Sequence, residues 1–155
     1  YEDLRSDYNG CGWIAIYNTL LVLGKTVDPS SIIYWMETNN GLNLGGLLGS
    51  NVASVSKYFT KRNYTVRKGV MIPSKTNLKT LEGRIKTCKV AIVRYFWYSK
   101  DNKTLGGHYI TVYWDAKISK FQIFNDYIRY VGSLEEFAKD SGMIRFAIID
   151  YILIN

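Results

Sequence analysis

Histidine is almost absent from this chain: His108 is the only one among 155 residues. Cysteine is nearly as scarce, with Cys11 and Cys88 alone. One histidine and two cysteines cannot complete a four-ligand zinc site, and two cysteines do not make a disulfide framework. Proline occurs twice, and with few long loops these residues carry no sign of an inhibitory propeptide. No apolar run reaches the roughly 20 residues needed to span a bilayer. The longest, Trp13 to Leu23, is interrupted by Tyr17, Asn18 and Thr19, so no transmembrane segment is expected. Glu2, Asp3, Arg5 and Asp7 crowd the start, which is unlike a signal peptide. The lack of an initiating Met predicts a processed or trimmed chain, secretion being one route to it.

What is present suits one folded domain. The chain is 47% hydrophobic, and a domain of this length buries roughly 70% of its unfolded surface. The net charge is +7, but its carriers, from Lys57 to Lys89 and beyond, form no single basic block. That distribution predicts a solvated basic surface and no nucleic-acid partner.

Along the chain, helical signals come first. Asn9-Gly10 reads as a turn, and Gly12 to Leu23 as an apolar helix with Cys11 at its start, stopped by Gly24. A second helix is predicted after the cap Asp28 and Pro29, with Ile32, Ile33, Trp35 and Met36 as its apolar stripe. Residues 41–50 read as a glycine-rich loop that lacks the Lys-Ser/Thr ending of a phosphate-binding loop. Val52 to about Asn63 and the surroundings of Leu78, Leu81 and Ile85 predict two more helices. Strand-like runs follow at Lys89 to Tyr98, Tyr109 to Trp114, Lys120 to Phe124 and Phe146 to Ile154. Ser133-Leu134-Glu135-Glu136 between them is a capping box. Helices followed by a mostly antiparallel sheet predict an α+β class.

The chemistry centres on Cys11 and His108. A thiolate is the attacking species of a cysteine nucleophile, and a helix N-terminus with a nearby imidazolium favours it. Gly10 and Gly12 would let a substrate backbone approach Cys11 closely. The alternative for Cys11 is a small buried residue at a helix start. His108 follows Gly106-Gly107 and enters an alternating strand, a position that suits a base facing a cleft; otherwise it is an ordinary surface or core histidine. A base is commonly oriented by a third group. If the strands around 109–114 and 120–124 pair as a hairpin, residues 125–126 return beside His108. His108 shares a face with Ile110 and Val112, and Asn125 with Phe121 and Ile123. Asn125 is therefore the first choice to orient the imidazole, and one bulge would substitute Asp126. Cys88 reads as a buried structural thiol. Tyr8, Trp13 and Tyr109 adjoin the three and are candidates for cleft walls.

Asn9-Gly10-Cys11-Gly12-Trp13-Ile14-Ala15, Gly41-Leu42-Asn43-Leu44-Gly45-Gly46-Leu47, Gly107-His108-Tyr109-Ile110-Thr111-Val112 and Ile123-Phe124-Asn125-Asp126 together resemble papain-like cysteine peptidases. The C39-like branch, which includes bacteriocin-processing double-glycine peptidases, is the most similar. The resemblance implies a helical lobe, a sheet lobe and an active site in the cleft between them. It also implies a Cys-His-Asn/Asp triad that cleaves a peptide or protein substrate through a thioester, with no metal or organic cofactor. One departure stands out. The family carries a glutamine six positions before the cysteine as an oxyanion donor, and that position here is Arg5. Such a donor contributes about 3 kcal/mol; the Cys11 backbone N–H with Asn9 or Arg5 would have to replace it. The departure leaves open a catalytically weak or inactive binding module, and the same fold could host an acyl or amide transferase.

Overall fold

The computed structural model describes residues 10–41, 50–99, 103–126, 129–144 and 148–155. Three helices open it: α1 (Cys11–Val22), α2 (Pro29–Thr38) and α3 (Val52–Thr60). Then come β1 (Val66–Met71), α4 (Lys75–Lys86), β2 (Val90–Ser99), β3 (Thr104–Asp115), β4 (Lys120–Phe124), β5 (Arg129–Val131), α5 (Leu134–Asp140) and β6 (Ile149–Ile154). The class is α+β.

Local chemistry sets the helix ends. Asp28 accepts the Ser30 amide at 3.1 Å, and Pro29 begins α2. Helix α1 closes as a Schellman turn: Gly24 N–H donates to Leu21 O at 2.9 Å and Lys25 N–H to Leu20 O at 2.8 Å. Gly24 supplies the positive φ of 71° that this turn demands. Ser133 caps α5 by accepting the Glu136 amide at 3.1 Å. Glu136 reaches back to the Gly132 amide at 2.8 Å, one residue before the cap.

The strands form a single six-stranded sheet in the order β1-β6-β2-β3-β4-β5, with every pairing antiparallel. Helices cover both of its faces. On one face α1, α2 and α3 bury Ile16, Leu20, Ile32, Met36, Val55 and Phe59 against Val90, Ile92, Tyr109, Ile152 and Ile154. On the other, α4 and α5 bury Leu81, Ile85 and Phe137 against Val93, Tyr95, Ile110, Val112, Phe121 and Ile123. Each full burial of a large aliphatic or aromatic side chain contributes about 1.5–3 kcal/mol, so the two cores outweigh the caps.

Two strands escape the sequence reading. Strand β1 carries Arg67, Lys68 and Gly69 and is half exposed at the sheet edge, while β5 has three residues. Strand β3 starts at Thr104, earlier than expected, so Gly106 and Gly107 lie inside it, opposite Trp97 and Phe96. They accommodate those aromatic rings, and His108 lies within the strand and not at its mouth. Helix α3 stops at Thr60, short of Asn63, whose φ is 62°. The expected start of the last strand at Phe146 lies outside the described residues. Among the described residues, no helix is long and apolar enough to cross a membrane.

Candidate active site

Cys11 is the first residue of α1, and its cap, Gly10, has no side chain to satisfy the first-turn amides. The positive end of the helix therefore lies at the thiol, with no capping side chain from Gly10. The Cys11 thiol is free and partly buried. Burial pushes its pKa up, and backbone hydrogen bonding from Tyr109 and Gly12 with the Arg94 charge offsets only part of that rise. Gly12 is buried; a Cβ there would overlap the Ser50 side chain. Its missing side chain serves close packing between α1 and Ser50, which corrects the expectation that it admits a substrate backbone.

Asn125 connects the pieces. Strand β4 ends at Phe124, and Asn125 takes a positive φ of 71°, a conformation that asparagine tolerates better than most residues. Its Nδ2 donates to Tyr109 O at 2.7 Å and to Cys11 O at 3.1 Å. Both acceptors are carbonyls, so the amide nitrogen must face them. Its own carbonyl lies 2.5 Å from His108 Nε2. A carbonyl only accepts, so Nε2 carries the proton. In the neutral ring the basic lone pair is then on Nδ1.

His108 pairs with Tyr95 across β2 and β3, and their rings meet edge to face at 6.0 Å. Tyr95 Oη donates to Asp126 Oδ2 at 3.3 Å. Asp126 also receives Arg129 at 3.2 Å, and Arg129 lies 3.9 Å from Asp140. Burial, and secondarily the Asp126 charge, push the Tyr95 phenol well above its ordinary value. The Asp126 carboxylate is thus held by Tyr95 and Arg129. Asn125 touches the imidazole, through its backbone carbonyl instead of its side chain.

The strand-parity argument is half preserved. Ile110, Val112, Phe121 and Ile123 do share one face, but α1 covers the other. Cys11 and His108 therefore belong to opposite faces of β3, with Asn125 spanning them. Among the described residues, no hydrogen bond joins the Cys11 thiol to the His108 ring.

A polar row on the α1 face went unnoticed in the sequence. Asp150 of β6 lies opposite Arg94 of β2, which lies opposite Tyr109 of β3. Arg94 Nε donates to Asp150 Oδ2 at 2.7 Å, and the pair is mostly buried, at 26% and 17% exposure. Tyr109 Oη donates to Ser50 O at 3.0 Å. Tyr109 is buried and belongs to the core beneath α1, not to an open wall. The available signal was Arg94 itself, a lone charge inside the apolar run Val90-Ala91-Ile92-Val93-Arg94-Tyr95.

Cys88 donates to Ile85 O and Val90 O, each at 3.3 Å, and burial raises its pKa. Trp13 is half-buried and packs against the core beneath α1. Arg5, Tyr8, Asn9 and residues 42–49 of the glycine-rich stretch lie outside the described residues. Among the described residues, no three His, Cys, Asp or Glu side chains converge as a metal-binding group. A surface hollow of about 1020 Å³ lies between the start of α4 and the end of α5, and none of the candidate residues lines it. No protein-family model matches the chain, and no curated protein matches it.

Proposed function

We propose that this protein is a papain-like cysteine hydrolase that cleaves a peptide or amide bond. Cys11 is the nucleophile, His108 the base, and Asn125 the residue that orients it. The observation that carries this reading is the junction at Asn125: one residue bonds the Cys11 carbonyl, the Tyr109 carbonyl and His108 Nε2. It fixes the imidazole with Nδ1 as the base and ties the end of β4 to the residue that opens α1.

In the reaction, His108 Nδ1 takes the Cys11 proton, and the thiolate attacks the substrate carbonyl carbon. His108 then protonates the departing amine as the carbon–nitrogen bond breaks, leaving a thioester. Water, deprotonated by His108, hydrolyses the thioester and returns the thiol. The thiol and imidazole lie on opposite faces of β3 at rest, so the reaction requires that substrate binding bring them together. An amine acceptor in place of water would make the same site a transferase, which competition with added amine would reveal.

The partly buried thiol, which burial makes harder to ionise, favours a second reading, a binding module that captures a peptide without turnover. The separating experiment alkylates native protein with iodoacetamide from pH 4 to 9 and maps Cys11 and Cys88 by mass spectrometry. The hydrolase requires Cys11 labelling that slows sharply in His108→Ala. Cys11 labelling that follows an ordinary thiol and ignores His108 would sink it in favour of the binding module.

A further inference from the structure

We infer that Arg94, held in place by Asp150, is the cation that stabilises the thiolate of Cys11. This rests on the hydrolase reading of Cys11. The row Asp150–Arg94–Tyr109 crosses the sheet on the face that α1 covers. At its Tyr109 end the backbone carbonyl shares the Asn125 amide with the Cys11 carbonyl, so the row runs directly to the start of α1. Neighbouring positions on that face are apolar: Ile92 beside Arg94 on β2, and Ile152 beside Asp150 on β6. A mostly buried ion pair carries a desolvation cost that apolar residues would avoid, so packing alone gives no reason for it. The guanidinium Cζ lies 5.9 Å from the Tyr109 ring centroid, and the Arg94 charge acts on the Cys11 thiol in the direction of ionisation. Asp150 positions the guanidinium through Nε. Among the described residues, other ionisable groups at this end are Tyr109 on the same face and, on the opposite face, His108, Tyr95, Asp126 and Arg129.

The test measures the pH profile of Cys11 alkylation by iodoacetamide in the wild type, Arg94→Gln, Arg94→Lys and His108→Ala. Cys88, in the core under α4, is the internal reference in each sample. An opposite charge close to an ionisable group shifts its pKa by roughly 1 unit or more. Arg94→Gln is therefore expected to move the Cys11 midpoint up, with Cys88 unchanged and Arg94→Lys restoring most of the shift. Because Arg94→Gln leaves Asp150 unpaired, the double variant Arg94→Gln/Asp150→Asn repeats the measurement without an orphan charge. A Cys11 profile that ignores Arg94 in both backgrounds but responds to His108→Ala overturns this inference and keeps the hydrolase. Indifference to both residues overturns the two together. A response to Arg94 without one to His108 supports the cation while removing the proposed base.

Discussion

The side chain of Asn125 bonds the carbonyl of Cys11 at 3.1 Å across 114 positions of sequence. That contact ties the end of β4 to the start of α1, and with Tyr109 O it uses both amide protons of Asn125. Asn125→Asp would set a carboxylate against two carbonyl oxygens. It is therefore expected to destabilise the fold by about 1–3 kcal/mol, and more than Asn125→Gly, which keeps the positive φ without strain. Chemical denaturation of the three proteins checks the order. A side chain that instead accepted a bond from His108 would tolerate the aspartate, and equal stability of Asn125→Asp and wild type would show that.

His108 offers a direct spectroscopic check. Its Nε2 faces the Asn125 carbonyl, so the neutral ring is expected as the Nε2–H tautomer with Nδ1 unprotonated. Nitrogen chemical shifts of labelled protein distinguish the two tautomers. An Nδ1–H ring would remove the base from the proposed mechanism.

Stability should fall on the alkaline side. Burial raises the Cys11 thiol above its ordinary 9.0 and the Tyr95 and Tyr109 phenols above their ordinary 10.0. As pH rises past the ordinary values the unfolded chain loses these protons first. It then binds fewer protons than the native state, so each step upward favours unfolding. Melting temperatures are expected to be insensitive to these groups below about pH 8 and to decline above pH 9 to 10. Tyr95→Phe should flatten part of that decline, and an unchanged slope would remove Tyr95 as a contributor.

Three glycines should respond differently to alanine. At Gly12 the new methyl overlaps Ser50, an overpacking expected to cost about 1–3 kcal/mol. At Gly24 there is space, but φ is +71°, so strain of about 1 kcal/mol is expected. Gly83, exposed inside α4 with no atom within 4 Å of the added carbon, is expected to gain about 0.5–1 kcal/mol. Thermal unfolding ranks all three, and a stabilising Gly12→Ala would contradict the packing of α1.

Thr111 anchors α1 to the sheet: its Oγ1 donates to Ala15 O at 2.9 Å and lies 3.3 Å from Thr19 Oγ1. Thr111→Val keeps the shape but strips the buried Thr19 hydroxyl of this partner, an expected loss of about 1–3 kcal/mol. Thr111→Ser should recover the hydrogen-bonding part of it in urea unfolding. A loss in Thr111→Ser with none in Thr111→Val would assign the effect to the methyl group instead.

Much of the local structure was legible in the sequence. Asp28 with Pro29, Ser133 with Glu136, and Gly24 mark helix ends because capping bonds join residues only two to five positions apart. The same locality put Cys11 at the start of α1. The shared face of Ile110, Val112, Phe121 and Ile123 followed from strand alternation and hairpin register. Edge strand β1 was not legible, since Arg67, Lys68 and Gly69 have low strand propensity and gain their order from pairing with β6.

Tertiary structure alone decided which face of the sheet carries α1. Tyr109 to Val112 are buried on both sides, so alternation separates two faces but cannot say which helices cover each. It also decided that Asn125, turned to a positive φ, would serve Cys11 with its side chain and His108 with its backbone. Arg94 met Asp150 and Tyr109 only once β2, β3 and β6 were in register. Caps are set by bonds within one turn of chain; these choices are set by burial between segments that the sequence keeps far apart.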